Sequence, residues 1–412
     1  MNNILKYFLI PFGLIISQIN THAQAVSLSL DSCYALARRN YPLVRQHDLI
    51  AKSSAYSIEN AAKGYLPQIN LIGQATYQSD VTQLPIQVPG VSVLSKDQYK
   101  IYADINQPIY EGGVIKQQQK IQESNALIEQ QKLEVELFKL QERVNQVFFG
   151  TLLMDEQLRQ NDLLQNDIRI GIRKTQAAVD NGTAFKSNID LLNAELLKVS
   201  QRTIELKSNK MAFMDMLGLL TGLTINDQTN LLMPTPILAS QDIKRPELLL
   251  FDYQRRATDA QNRLLSAKNR PKLNLFFQGG FGRPAFNILS NDFEPYYIGG
   301  LRLNVPFSGV YTLKNERNQL QLNQRNIDVQ QEVFLFNTHY SLRQQNAEIT
   351  KLQALIGVDE EIIALRSSVK NTSSVQLENG VITSNDYLRE VNAEDSARQN
   401  KILHDIQLLM AQ

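Results

Sequence analysis

The sequence predicts a mainly α-helical chain that also carries transmembrane-type β-strands. It is organised as two structural repeats, each a long antiparallel coiled-coil hairpin plus a two-stranded β-hairpin. Three observations predict this. Short motifs recur once at a nearly constant offset, four stretches alternate apolar and polar residues, and long proline-free segments carry a heptad seam.

Composition narrows the function classes. With 42 Lys+Arg against 41 Asp+Glu, the net charge is +1, so no long-range field attracts nucleic acid. A 43% hydrophobic content and mean hydropathy of −0.26 exclude both a bundle of membrane helices and a disordered chain. The single Cys excludes an internal disulfide framework and a Cys-based zinc site, and the histidines at 22, 47, 339 and 404 are too scattered to suggest a metal centre. No P-loop, nucleophile elbow or dinucleotide turn is present. Gly279-Gly280-Phe281-Gly282 lies inside a strand pattern with no helix after it. No catalytic residue, metal or cofactor is expected.

Residues 1–23 read as a secretory signal peptide. Lys6 precedes an apolar stretch from Tyr7 to Ile19, and Thr21-His22-Ala23 offers small residues before Gln24. An N-terminal anchor helix is the alternative. Cys33 lies beyond the apolar run, after Asp31-Ser32, and does not resemble an acylation site; a small buried side chain is expected there. No later stretch reaches 18 consecutive apolar residues, so an exported chain of this kind is either soluble or inserts as strands.

The repeats span residues 24–222 and 244–412, with a linker at 223–243. Pro42 and Pro67 recur as Pro246 and Pro271, each 204 positions on. Asn106-Gln107-Pro108 returns as Asn304-Val305-Pro306 and Asn181-Gly182 as Asn379-Gly380, both 198 on; Asn193-Ala194-Glu195 returns as Asn392-Ala393-Glu394. One short deletion between Pro271 and Pro306 accounts for the shift.

Residues 27–63 read as helix, with Asp31 and Ser32 available as caps and Pro42 as an early break. Strands are predicted at about 68–78 and 98–107, then at about 272–282 and 296–306. Ile69, Leu71, Gly73, Ala75 and Tyr77 alternate with polar residues, as do Tyr99, Ile101, Ala103 and Ile105. In the second repeat the apolar sets are Leu273, Leu275, Phe277 and Phe281, then Tyr297, Leu301, Leu303 and Val305. Lipid on one side and water on the other produces this pattern, and so does a half-buried sheet of a soluble protein; alternation alone does not separate the two. Aromatic residues near strand ends (Tyr77, Tyr99, Tyr296, Tyr297) favour an interfacial girdle. Four strands cannot close a barrel, and an open edge cannot face lipid, so in a bilayer several chains must share one barrel; three would supply twelve strands.

From Gly113 to Asn181 there is no proline, and Leu133, Leu137, Leu140, Val144, Val147, Thr151, Met154 and Leu158 form an a/d seam. It resumes from Ile189 to Leu220. The second arm runs from about Thr312 to Leu377, with Leu355, Val358, Ile362, Leu365 and Val369 as its seam, and returns through 384–410. The tips fall at Asn181-Gly182 and Asn379-Gly380, where both residue types tolerate positive φ.

Taken together, Leu36-Ala37 through Pro42, Tyr65-Leu66-Pro67-Gln68, Asn106-Gln107-Pro108 with Gly112-Gly113, and the Asn-Gly tips with a downstream Asn-Ala-Glu resemble the TolC family of outer-membrane efflux and secretion channels. The resemblance spans nearly the whole mature chain. It implies a homotrimer with a shared 12-stranded β-barrel in outer-membrane lipid and a helical tunnel across the periplasm. It also implies a periplasmic adaptor (membrane fusion protein) and an inner-membrane pump of RND or ABC type that engage the tips Asn181, Gly182, Asn379 and Gly380. Ile69, Leu71, Tyr77, Ile101, Leu273, Leu275, Phe277, Leu301 and Leu303 would then face lipid.

In some relatives an acidic ring narrows the tunnel after the second tip. Here Asp386 matches its first position, Arg389 stands at the second, and Glu390 follows. Asp190 is the looser counterpart in the first repeat. Asp386 as a plain helix cap, and Asp190 as part of a solvated face, are the competing readings. The competing function is a soluble periplasmic coiled-coil adaptor or structural protein whose strands form an ordinary sheet.

Overall fold

The computed structural model describes residues 27–82, 93–227, 229–236, 242–287 and 289–412. Residues 1–23, predicted to be a signal peptide, lie outside these, as do parts of the predicted linker and of the predicted loops at 79–97 and 283–295.

The chain opens with β1 (Ser27–Leu28), which pairs in parallel with β4 (Asn230–Leu231). The predicted linker is therefore not purely connective, and Leu28 and Leu231 are both buried. The region 27–63 is not one helix. It splits into α1 (Leu30–Asn40), a 3-10 turn at Pro42–Arg45 and α2 (Gln46–Ala62). The break falls where expected, because the residue before a proline disfavours helical backbone and Tyr41 is extended, with ψ 127°. The cap differs from expectation. Ser29, not Asp31 or Ser32, caps α1; Ser32 occupies the third helical position and completes a reciprocal capping box.

The strands are β2 (Gln68–Tyr77), β3 (Asp97–Tyr110), β5 (Lys272–Arg283) and β6 (Glu294–Asn304). They form one antiparallel sheet in the order β2-β3-β5-β6. Strand β3 outruns its predicted end because a bulge between Pro108 and Tyr110 absorbs the proline's missing donor and lets pairing continue. Val305 and Pro306 fall beyond β6.

Two very long helices follow the hairpins: α3 (Val114–Asp180, 67 residues) and α6 (Gly309–Glu378, 70 residues), each roughly 100 Å at helical rise. Returning against them are α4 (Lys186–Thr221) and α7 (Ser384–Ala411), while α5 (Pro246–Lys268) packs on α3 and α6. Pro246 sits in the first turn of α5, where its lost N–H costs nothing.

The first-repeat seam is inside: Leu133, Leu137, Leu140, Val144, Val147 and Thr151 are buried, as are Leu192, Val199, Leu206 and Leu217 of α4. The second-repeat seam is a correction. Leu355, Val358, Ile362, Leu365 and Val369 are exposed, and α7 packs instead on the face holding Leu352, Asp359, Ser373 and Leu377. Along the middle of that face the contacts with α7 are polar, His404 meeting Asp359 at 2.6 Å and Glu394 meeting Lys370 at 2.6 Å, while nearer the tip Leu377 packs with Tyr387, Leu388 and Val391.

Among the described residues, two apolar cores hold the helices. One, at mid-length, gathers Cys33, Ala37, Val144, Phe148, Met214 and Leu217. Cys33 is fully buried, as expected, and burial pushes its thiol up to about 11. The other lies near the tips, around Ile168, Leu192, Leu377, Tyr387 and Val391.

Candidate functional site: one sheet face and the hairpin tips

Cross-strand register decides which side chains share a face. Leu71 pairs with Ala103, Ile69 with Ile105, Ile105 with Phe277, Ile101 with Phe281, Leu275 with Leu301 and Leu273 with Leu303. Because side chains alternate and directly paired residues project to the same side, all nine strand residues singled out in the sequence lie on one continuous face. That face is solvent-facing in the single chain: Leu71 is 76% exposed, Leu301 63% and Leu275 47%. The opposite face carries Gln68, Asn70, Gln74, Lys100, Asp104, Asn106, Gln278 and Arg302, with Gln278 donating to Asp104 at 2.9 Å. Tyr77, Tyr99 and Tyr297 stand at strand ends on the apolar face. Tyr296 does not: it pairs with Gly280, which pairs with Tyr102, and so belongs to the polar face.

At the far end both hairpins turn by the same device. Gly182 (φ +72°) donates to the Val179 carbonyl at 2.9 Å and Thr183 to Ala178 at 2.8 Å. Gly380 (φ +69°) donates to Leu377 at 3.1 Å and Val381 to Gln376 at 2.8 Å. These are Schellman caps, and only the glycine is left-handed; Asn181 and Asn379 keep φ near −88° as the last turn closes. Beyond the glycines lies open space, and Phe185 and Val381 project there as exposed apolar residues.

Asp386 has a defined local job. Thr383 caps α7, receiving the Asp386 amide at 3.2 Å, while the Asp386 carboxylate accepts from the Thr383 hydroxyl at 2.7 Å and its amide at 3.2 Å. These bonds hold the carboxyl below the ordinary carboxylate value. Arg389 lies 3.8 Å from Asp386 and 3.0 Å from Glu390, and Arg366 reaches Glu390 at 3.3 Å. The structure thus gathers Asp386, Arg389 and Glu390 into one charged group. Asp190 stands exposed on α4, and no hydrogen bond or ion pair among the described residues joins it to them. Thr383→Ala removes the cap and is expected to cost about 1 kcal/mol; hydrogen exchange at the start of α7 measures it, and unchanged protection of residues 384–388 would contradict the cap's role.

Sequence reasoning missed the buried polar cluster that fastens the second hairpin to α3. Lys370 reaches Asp167 at 2.9 Å and Glu394 at 2.6 Å, and Arg398 also holds Glu394 at 2.7 Å. Tyr387 donates to the Asp167 carbonyl at 3.0 Å, and its ring lies over Gly171, where any Cβ would sit 2.7 Å from it. Thr175 and Ser384 meet at 2.9 Å. Its one trace in the sequence is Glu394, which belongs to the repeated Asn-Ala-Glu.

Beside this cluster Asp395 accepts from Gln160 at 3.0 Å and lies 3.6 Å from Arg202. Burial nonetheless dominates and raises its carboxyl above the ordinary value. A raised carboxyl favours folding fully only below its unfolded value near 3.8, and that contribution is lost as pH rises through the folded value. Asp395→Asn is therefore expected to raise the thermal midpoint at neutral pH and flatten its slope with pH; a lower midpoint at pH 7 would contradict this.

Comparisons with known proteins agree with this geometry. Residues 33–210 match the model of the outer membrane efflux protein family. No curated protein sequence matches. Among solved structures, the fold is similar to the outer membrane channel CmeC of Campylobacter jejuni, with 14% identity, a TM-score of 0.63, and 93% of this chain and 83% of that one covered. It is similar to the outer membrane protein VceC of Vibrio cholerae at 11% identity, TM-score 0.66, with 93% of each chain covered. The open-state MtrE outer membrane channel of Neisseria gonorrhoeae aligns at 12% identity, TM-score 0.64, covering 93% of this chain and 86% of that one. At such identities the likeness is one of fold, and with the family match it bears out the resemblance read from the sequence.

Proposed function

We infer that the chain is a member of the TolC family: an outer-membrane efflux channel, a passive exit for substrates delivered from the inner membrane. One observation carries this reading. The sheet presents a continuous, largely apolar face to the outside and a mostly polar face on the other side, and the long aliphatic residues of the apolar side (Leu71, Leu275, Leu301) stay exposed among the described residues. A soluble adaptor would have to bury that face, so the adaptor reading is not favoured. No helix among the described residues is long and apolar enough to cross a membrane; the crossing falls to the strands.

The assembly follows from unpaired edges. Strands β2 and β6 are the sheet's ends. In lipid their free N–H and C=O groups need partners, and sister subunits supply them, three copies giving a 12-stranded barrel. The uncovered stripes on α6 (Leu355, Val358, Ile362, Leu365, Val369) and α4 (Leu197, Ile204, Met211) would seal the helical tunnel between copies. The order helix, two strands, long hairpin occurs twice, which supports duplication of one unit over 24–222 and 244–412.

At the periplasmic end, the tips Asn181-Gly182 and Asn379-Gly380, flanked by Phe185 and Val381, offer an adaptor both exposed backbone and an apolar foothold. A pump of RND or ABC type would act through that adaptor. Asp386, Arg389 and Glu390, with Asp190 on the neighbouring hairpin, would line the aperture, Arg389 moderating its negative field. Single-channel recording in planar bilayers tests both levels. Conductance by the purified trimer is expected, with cation selectivity lowered in Asp386→Ala. No conductance would remove the channel; unchanged selectivity would remove the aperture assignment alone.

A further inference from the structure

The polar face of the sheet carries an aromatic group that neither the fold nor the tip machinery explains. Tyr102 and Tyr296 flank Gly280, and their rings lean together to 6.4 Å between centroids. The glycine makes this possible: a Cβ there would lie 2.6 Å from Tyr102 Cβ and 2.1 Å from the Ile101 carbonyl. Phe286, from the segment after β5, folds onto the same face and meets Tyr296 edge-on at 5.0 Å. In the motif Gly279-Gly280-Phe281-Gly282, which matches no cofactor turn, Gly280 and Gly282 share this face and clear the wall beneath the rings; a Cβ at Gly282 would lie 3.2 Å from the Tyr296 ring.

Covering a strand glycine with tyrosine is a known way to stabilise a sheet. That accounts for Tyr102 and Tyr296 but not for Phe286, which contributes a second layer and remains 56% exposed. Its position matters if the polar face lines a lumen. Eight strands make an interior that side chains fill, and about 16 to 18 leave an open aqueous channel. Twelve lie between, so rings stacked two deep on the wall take up a large share of the remaining width.

Resting on the channel reading above, we propose that Tyr102, Tyr296 and Phe286, repeated in each subunit, form an aromatic collar near the loop end of the barrel. The collar is a second narrowing, separate from the helical tips, and a contact site for flat aromatic solutes. Ring edges and faces are both presented there, since Phe286 and Tyr296 are at 80° and Tyr102 and Tyr296 at 52°. A planar solute entering the mouth meets the offset and edge-to-face geometries that aromatic pairs prefer.

The test uses the full chain in planar bilayers, with ethidium added on the side of the strand loops and tetraethylammonium as a non-aromatic cation of equal charge. Phe286→Ala is the main variant because its side chain is exposed and outside the strands; Tyr102→Leu is the second. The collar predicts higher conductance in Phe286→Ala and a rise of roughly fivefold in the half-blocking concentration of ethidium, with no change for tetraethylammonium. Tyr102→Leu moves ethidium block in the same direction. Unchanged conductance and equal ethidium block in wild type and Phe286→Ala would overturn the collar while leaving the channel standing. Absence of current from wild type would remove the channel and the collar together.

Discussion

Replacing Leu71 by arginine is expected to abolish trimer assembly in membranes, although the same change would be harmless in a soluble protein. Leu71 is 76% exposed in the single chain and lies near the middle of β2, so no contact within the subunit is lost. In a bilayer that position is close to the midplane, where arginine on the lipid face of a barrel costs about 2–4 kcal/mol. Three symmetric copies would multiply the penalty. Asn70→Arg, one residue away on the opposite face, is expected to be nearly neutral because that face is wetted. The comparison reads out as heat-resistant trimer recovered from the membrane fraction. Equal recovery of both variants would contradict the assignment of faces.

Lys370→Met is expected to be the most destabilising change near the tips. Lys370 and Glu394 have side chains 17% and 3% exposed, and Asp167 completes the group. Removing the cation strands two carboxylates in a poorly solvated seam, and breaking one partner of a buried pair costs about 3–5 kcal/mol. Arg398 still holds Glu394, which places the effect toward the lower end. Lys198→Met, which removes an exposed partner of Glu195, should cost less than about 1 kcal/mol. Adding Asp167→Asn to Lys370→Met should recover part of the loss, since the stranded carboxylate that Arg398 does not hold is then gone.

The pH dependence of this difference has a definite sign. Despite burial, the bonds from Lys370 and Arg398 hold the Glu394 carboxyl below its ordinary 4.5, so its contribution is present above that value and lost as pH falls through the depressed one. Glu394 and Asp167 likewise raise Lys370 above its ordinary 10.5, against the opposing effect of burial. Its contribution is present below 10.5 and lost as pH rises through the raised value. The gap between wild type and Lys370→Met should therefore be widest between about pH 4.5 and 10.5 and shrink outside it. Denaturant unfolding across that range measures it, and a gap independent of pH would show that packing, not charge, carries the effect.

The strands were legible because a period of two leaves no ambiguity about face once the register is known. Ile69 to Tyr77 and Leu273 to Phe281 declared both the element and its apolar side. The hairpin tips were legible in place but not in geometry: Asn-Gly marked the turn, yet the helix closes through asparagine and only glycine becomes left-handed. The seam of α6 departs from the sequence expectation for a physical reason. A hydrophobic heptad identifies a face that wants an apolar partner, and within this chain α7 packs on the neighbouring face of α6, through Leu352 and Leu377, and leaves this one open. The stripe from Leu355 to Val369 therefore points to a partner outside the chain. The cluster of Asp167, Lys370 and Glu394 was invisible because its members come from three helices and gain meaning only when α7 lies down against α3. Nearness to a strand end suggests a girdle position for Tyr296, whereas a one-residue step in register turns it to the opposite face.

The central claim is that the two faces of the sheet meet different solvents. Single cysteines at Leu301 and Arg302 test it directly, since they are adjacent on β6 and project to opposite sides, and the native Cys33 is fully buried. In the membrane-assembled protein, Leu301→Cys should react with a probe confined to acyl chains and resist a water-soluble maleimide, with Arg302→Cys showing the reverse. Maleimide labelling of both sites, in a protein that fractionates with the soluble periplasm, would contradict the account.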